Sequence, residues 1–192
     1  MNSMMNWQGE YRVHPNATID IDPSRTTRIG KGTVVWEHAH IMPGADIGMN
    51  CIISEQVFIG SGVVIGDNVK IFNGACLFSG VTLEDGVFIG ANTVTTNVLR
   101  PRAFLTAKKE DYEDIRIKMG ATIGANCTIN GGLEIGKYAL VGAGSVVTKQ
   151  VQDFEKVFGN HAIHKGWVCF CGEKAKEQKA FCDECWDEME KE

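Results

Sequence analysis

Ile47-Gly48-Met49-Asn50-Cys51-Ile52-Ile53-Ser54-Glu55-Gln56-Val57-Phe58-Ile59-Gly60-Ser61-Gly62-Val63-Val64-Ile65-Gly66 restates itself every six residues. A large aliphatic stands at 47, 53, 59 and 65, and a small or apolar residue follows four places later at Cys51, Val57, Val63 and Val69. The beat runs back through Ile41 and Val35 to Ile29, and forward through Ile71, Leu77 and Leu83 to Ile89. It breaks, then resumes at Ile117, Ile123, Ile129, Ile135, Val141 and Val147. A period of six fits neither an amphipathic helix nor a long alternating strand. It fits one short strand plus one corner, with three such units closing a triangular coil. Each coil can bury its apolar side only against its neighbours, so the assembly is quasi-one-dimensional. Cys51 and Cys127 fall in the small inward slot, where packing is their expected role.

Two segments interrupt the beat. Val13 and Ile19 read as an irregular first turn, with an insertion around Asp22-Pro23-Ser24. The second gap, residues 95–116, holds Arg100-Pro101-Arg102 and the charged run Lys108-Lys109-Glu110-Asp111. Loops of that length inside a compact domain are usually functional. After Val151 the beat ends. The expected organisation is a β-helix domain over residues 1–158 and a tail over 159–192, finishing in a short helix around Trp186–Lys191.

Composition narrows the function. The net charge of −5 argues against a nucleic-acid partner, which wants a basic footprint. No apolar run reaches the ~20 residues of a membrane helix, and the first residues lack the basic-then-apolar pattern of a secretory signal. Seven cysteines, four of them crowded near the C-terminus, suit a thiol-reduced, cytoplasmic setting.

The [LIV]-G-x-x-[small]-x pattern over roughly residues 13–151 resembles the hexapeptide acyltransferase superfamily. That resemblance implies an all-β, left-handed parallel β-helix, carrying here a small Cys-rich, zinc-ribbon-like tail. Val94-Thr95-Thr96-Asn97-Val98-Leu99-Arg100-Pro101-Arg102 resembles the T-N-x-x-x-P-R loop of bacterial nucleotide-amino-sugar N-acetyltransferases. Gly120 to Ile129 and Val141 to Lys149 look like the acetyl-CoA-binding coils of the same group. Trp36 to Ile41 and Leu83 to Phe88 are similar to strings in its 3-N-acetyltransferases of UDP-2-acetamido-3-amino-2,3-dideoxy-glucuronate. Departures fall where an acceptor would lie: Phe72-Asn73-Gly74, Phe78-Ser79-Gly80 and Glu55-Gln56 replace Gln-Asn-Asn, Tyr-Asp-Asn and Gln-Asn. Gly159-Asn160-His161-Ala162 replaces Gly-Asn-Pro-Ala.

The implied reaction is acetyl transfer from acetyl-CoA to a sugar amine, for surface polysaccharide. It needs placement of the amine, a route for its proton and donors for the oxyanion. The resemblance puts Asn97 near the acceptor amine; a turn-former beside a loop is the plainer alternative. His40 is the base candidate by residue type, against a surface or interface histidine. Asn73, Glu55, Glu84, Asp85 and Arg102 are candidate sugar contacts, with acidic Glu55 hinting at an acceptor other than a uronate. Gly124, Ala125, Gly142 and Ala143 are expected along the pantetheine arm, with Lys118 and Lys149 near phosphates, though a lone lysine is commonly just solvated. Relatives of this kind are homotrimers with clefts between subunits.

Cys169-Phe170-Cys171-Gly172 and Cys182-Asp183-Glu184-Cys185 form C-x-C-x₁₀-C-x-x-C. Two close pairs of thiolates suit tetrahedral zinc, and four protein sulfurs would leave no open position, so the ion would be structural. Competing functions are O-acyl or small-amine transfer on the same fold, a γ-type carbonic anhydrase, and a non-enzymatic scaffold. The carbonic anhydrase lacks support, since no histidine lies between Ile41 and Gln150.

Overall fold

The computed structural model describes residues 6–8, 10–178, 182 and 185; the helix expected at 186–191 lies outside them. Strands of mostly two residues stack into three sheets, each rung pairing with the rung one coil away. The register is the sequence beat multiplied by three: Ile53 pairs in parallel with Ile71, and Ile71 with Ile89. The chain visits face 1 (Val34–Val35), face 2 (His40–Ile41) and face 3 (Asp46–Ile47), then returns to face 1 at Ile52–Ile53. Face 1 carries eight parallel rungs, from Tyr11–Val13 to Glu155–Phe158.

In each rung the second residue points inward. Ile41, Ile53, Ile59, Ile71, Leu77, Ile89, Ile123 and Ile129 have no accessible surface. The slot residues Ala39, Ala45, Cys51, Val57, Val63, Val69 and Ala75 are equally buried, as the pattern requires. Each large side chain so buried contributes about 1.5–3 kcal/mol relative to exposure. Burial pushes the Cys51 and Cys127 thiols up, and each donates to a carbonyl of the next coil, Gly66 and Gly142. Both are core residues.

The structure refines both interruptions. Thr95 continues the beat: it is fully buried, accepts from the Phe78 N–H and donates to the Cys76 carbonyl, so its hydroxyl is satisfied in the core. The loop proper spans residues 96–114 and is not structureless, holding one 3₁₀ turn at Lys109–Asp111 and bridges Val98–Tyr112 and Arg102–Leu105. Val13 and Ile19 are full rungs, paired with Val35 and Ile41. Beyond Val151 one more rung joins face 1, with Val157 opposite Val141. The chain then turns back, and Ile163–Val168 and Lys174–Ala175 add antiparallel strands.

Corners follow the same arithmetic. Their third residue takes a left-handed conformation, supplied by Gly at 62, 80 and 86 and by Asn at 50, 68, 92 and 126. His38 occupies one of these positions, with φ of 57°.

Candidate functional site

Both insertions leave the coil at the same edge, the corner between faces 2 and 3. The first is a tight turn in which Ser24 donates through its hydroxyl and its N–H to Asp22, holding that carboxyl below its usual range. The turn throws Arg25 along the corner, where its Nη1 donates to Ser61 Oγ at 3.0 Å. Among the described residues Arg25 forms no ion pair. The second insertion is the 96–114 loop, which brings Tyr112 and Asp114 to that edge. Between them runs a groove of about 870 Å³ floored by Gly44, Gly62 and Gly80, with Ser61 and Ser79 on its flank.

Asn97 opens the loop beside this groove. Its Nδ2 donates to the Ser79 carbonyl at 3.0 Å, and its own carbonyl accepts from the Glu113 N–H. With the amide nitrogen engaged, Oδ1 is the atom left to accept from a ligand. Arg102, also on the loop, is exposed and donates to the neighbouring Pro101 carbonyl.

The other sequence candidates lie elsewhere. His40 sits on face 2, its Nε2 2.9 Å from Asp20 Oδ2 and its ring edge-on to Phe58 at 5.7 Å. Three rungs separate it from Val94, so it stands about 14 Å along the axis from the Asn97 level. His40 and Asn97 are therefore not brought together within one chain. Glu55 and Asn73 share the corner between faces 1 and 2, where Asn73 Nδ2 donates to Glu55 Oε2 at 3.1 Å. Glu84 and Asp85 lie on the third corner. Glu84 pairs with Arg116 at 3.1 Å and accepts from the Met119 N–H. Asp85 accepts from the Asp67 N–H. Both are thus occupied in holding coils together.

The small-residue strip expected beside coenzyme A exists: Gly124, Ala125, Gly142 and Ala143 follow face 1 at successive levels. Packing also demands its glycines. A Cβ on Gly124 would collide with the Ala143 nitrogen, and one on Gly142 with the Phe158 ring. Lys118 and Lys149 sit on the other two corners. Lys118 bonds Glu134 at 2.6 Å, which raises its pKa, while Lys149 is exposed.

At the tail, the sulfurs of Cys169, Cys171, Cys182 and Cys185 all lie within 4.8 Å of one another, so four residues named from spacing alone meet at one point.

Arg25, Ser61, Tyr112 and Asp114 were not legible as site residues. The usable signal was the insertion around residue 22, because a corner that lengthens must project outward.

The chain matches the model of the bacterial transferase hexapeptide (six repeats) over residues 26–61 and 114–149, and that of the hexapeptide repeat of succinyl-transferase over 56–97. It is also 48% identical over 172 residues to dTDP-3-amino-3,6-dideoxy-alpha-D-galactopyranose 3-N-acetyltransferase of Aneurinibacillus thermoaerophilus, covering 88% of this chain and 86% of that one. The chain belongs to the hexapeptide-repeat transferases. Its β-helix is the left-handed parallel one that the repeat resemblance implied. Among solved structures, LpxA of Bacteroides fragilis, a UDP-N-acetylglucosamine acyltransferase, shares the fold with TM-score 0.66 and 21% identity over 82% of this chain and 61% of that one. The acetyltransferase domain of PglB from Neisseria gonorrhoeae, solved with acetyl coenzyme A, gives TM-score 0.54 and 22% identity, covering 81% of this hexapeptide transferase and 58% of that chain.

Proposed function

We propose that the chain is an acetyl-CoA-dependent N-acetyltransferase whose acceptor is a nucleotide-linked 3-amino sugar, a dTDP-3-amino-3,6-dideoxyhexose made for a surface polysaccharide. The observation that carries the reading is the 48% identity, across most of both chains, to an enzyme named for that reaction. A 6-deoxy sugar has no carboxylate, which suits acidic Glu55 at a corner where the glucuronate enzymes carry an amide.

The groove supplies roles. Arg25 meets the diphosphate with a fixed positive charge, as phosphate recognition requires. Asn97 Oδ1 accepts from the sugar amine and turns its lone pair toward the thioester, which the bound acetyl-CoA supplies. Two coils separate the Ser61 and Asn97 levels, about 10 Å, comparable with the span from a 3-amino group to the diphosphate. Asp114 is the carboxylate lining the same groove and accepts the proton that the amine nitrogen sheds as its bond to the acetyl carbon forms and CoA thiolate leaves. Ala125 and Ala143 flank the pantetheine arm on a different corner, so one chain holds two half-sites. A homotrimer, which sets one chain's groove against its neighbour's strip, completes them. The same reading places the enzyme in the cytoplasm, with structural zinc on the tail cysteines.

O-acyl transfer remains the second reading, favoured by one observation: His40 and Asp20 form the hydrogen-bonded pair that a general base needs. The deciding experiment follows thiol release from acetyl-CoA with dTDP- and UDP-linked 3-amino and 4-amino sugars and with their hydroxyl counterparts. Release with a 3-amino sugar, and a product heavier by one acetyl group on nitrogen, supports the proposal. Release only with hydroxyl acceptors, or none with any, overturns it.

A further inference from the structure

Face 1 does not end at a bare rung. Glu155–Phe158 pairs with Ile163–Val168, which pairs with Lys174–Ala175, and the turn between those last two strands is Cys169-Phe170-Cys171-Gly172-Glu173. Gly172 takes φ of 93°, which tightens the turn until two sulfurs share one side. Cys182 returns to the same point, its N–H donating to Cys169 Sγ at 3.0 Å. The Cys171 and Cys182 sulfurs stand 3.8 Å apart. A tetrahedral zinc with bonds of about 2.3 Å puts its sulfurs about 3.8 Å apart. A disulfide needs sulfurs about 2.05 Å apart. The spacing is that of ligands around a common centre.

The turn is also in contact with the coil. Phe170, between the first two cysteines, lies edge-on to Tyr138 at 6.5 Å, and Tyr138 stacks on Phe154 at 5.4 Å and 13°. Tyr138 and Phe154 both occupy the left-handed corner position, with φ of 54° and 61°. The levels before them in that corner use Gly32, Asn50, Asn68, Gly86 and Gly120, all at positive φ. Bulky aromatic residues there cost conformational energy, and such outliers persist where surrounding contacts over-determine them. The strained pair lies directly beneath the cysteine turn. A second tether, Gln178 Nε2 to the Asp153 carbonyl at 3.1 Å, holds the following segment to the same corner.

We propose that Cys169, Cys171, Cys182 and Cys185 form a closed tetrathiolate zinc centre that latches the tail across the last coils, with Phe170 pressed onto Tyr138 as the contact that carries metal occupancy to the coil. The inference rests on zinc occupying the cysteine site and adds what the ion does there. With every position filled by sulfur the centre binds no substrate, and it holds in place the antiparallel strand that covers the Glu155–Phe158 edge.

The test uses the full chain, purified under reducing conditions without added metal. Metal analysis should find about one zinc per chain, and Cys171→Ser and Cys185→Ser should each lose it. Hydrogen exchange of the Ile163–Val168 amides should rise at least about tenfold in those variants, while the Ile53, Ile71 and Ile89 amides keep their protection. Phe170→Ala should retain zinc yet speed exchange in the same strand, separating the latch from the ion. Metal-free protein with four titratable thiols, iron in place of zinc, or two disulfides overturns the centre. Zinc present with exchange unchanged in every variant overturns the latch. Acetyl transfer is read separately, so failure of the enzymatic reading leaves these outcomes interpretable.

Discussion

Asn97 and His40 divide the chemistry at the level of single side chains. Asn97 has its amide nitrogen committed to the Ser79 carbonyl, which leaves Oδ1 as the acceptor; removing it leaves the amine unoriented. Asn97→Ala should lower kcat with the 3-amino sugar by about a hundredfold, the cost of losing reactive placement, while His40→Ala, about three coils away, changes it little. Steady-state thiol release on both variants decides the matter, and the reverse pattern would make the His40–Asp20 pair the base and leave Asn97 a turn-former beside the loop. Gly142 tests packing instead. A Cβ there collides with the Phe158 ring, so Gly142→Ala should cost about 1–3 kcal/mol in chemical denaturation. Adding Phe158→Ala should remove the clash, and a double-variant cycle with no coupling between the two would sink this explanation.

Between residues and molecule stand the two insertions. Both interrupt the repeat in sequence, yet only the coil arithmetic shows that they share a corner. The aliphatic beat located the core almost residue by residue because burial in a solenoid repeats with the chain. Side chains at corners were harder, because a hexad leaves three corners open and neighbours in sequence then diverge in space. Glu55 and Asn73, eighteen residues apart, share a corner; Glu84 and Asp85 do not join them. Thr95 hid the last rung before the loop, since a core hydroxyl satisfied by Cys76 and Phe78 looks polar in the sequence. Arg25 was missed because nothing in its neighbours marks a ligand, and its role comes from the turn that projects it. Arg25→Ala should therefore raise KM for the nucleotide sugar by about 10- to 150-fold, as expected for a lost charge-assisted hydrogen bond of about 1.5–3 kcal/mol, and leave KM for acetyl-CoA unchanged. A rise in both constants would mean that the turn supports the fold rather than the diphosphate.

Across the whole chain, stability is a sum of coil energies and interfaces between neighbouring coils, so position along the axis matters as much as residue type. Ile71 has neighbours above and below in Ile53 and Ile89 and no accessible surface. Ile71→Ala opens a cavity between three coils and should cost about 2–5 kcal/mol. Ile29 lies near the open N-terminal mouth, half-buried, and among the described residues only Ile47 stacks on it in face 3. The same truncation there should cost less than half as much, because fewer contacts disappear and the mouth can relax. Equilibrium denaturation of the two variants gives the comparison directly. A graded loss from the centre to the mouth is what nearest-neighbour stacking requires. Equal losses would mean that the N-terminal mouth packs Ile29 as firmly as the middle packs Ile71, and contacts beyond the adjacent rung would then have to hold it there.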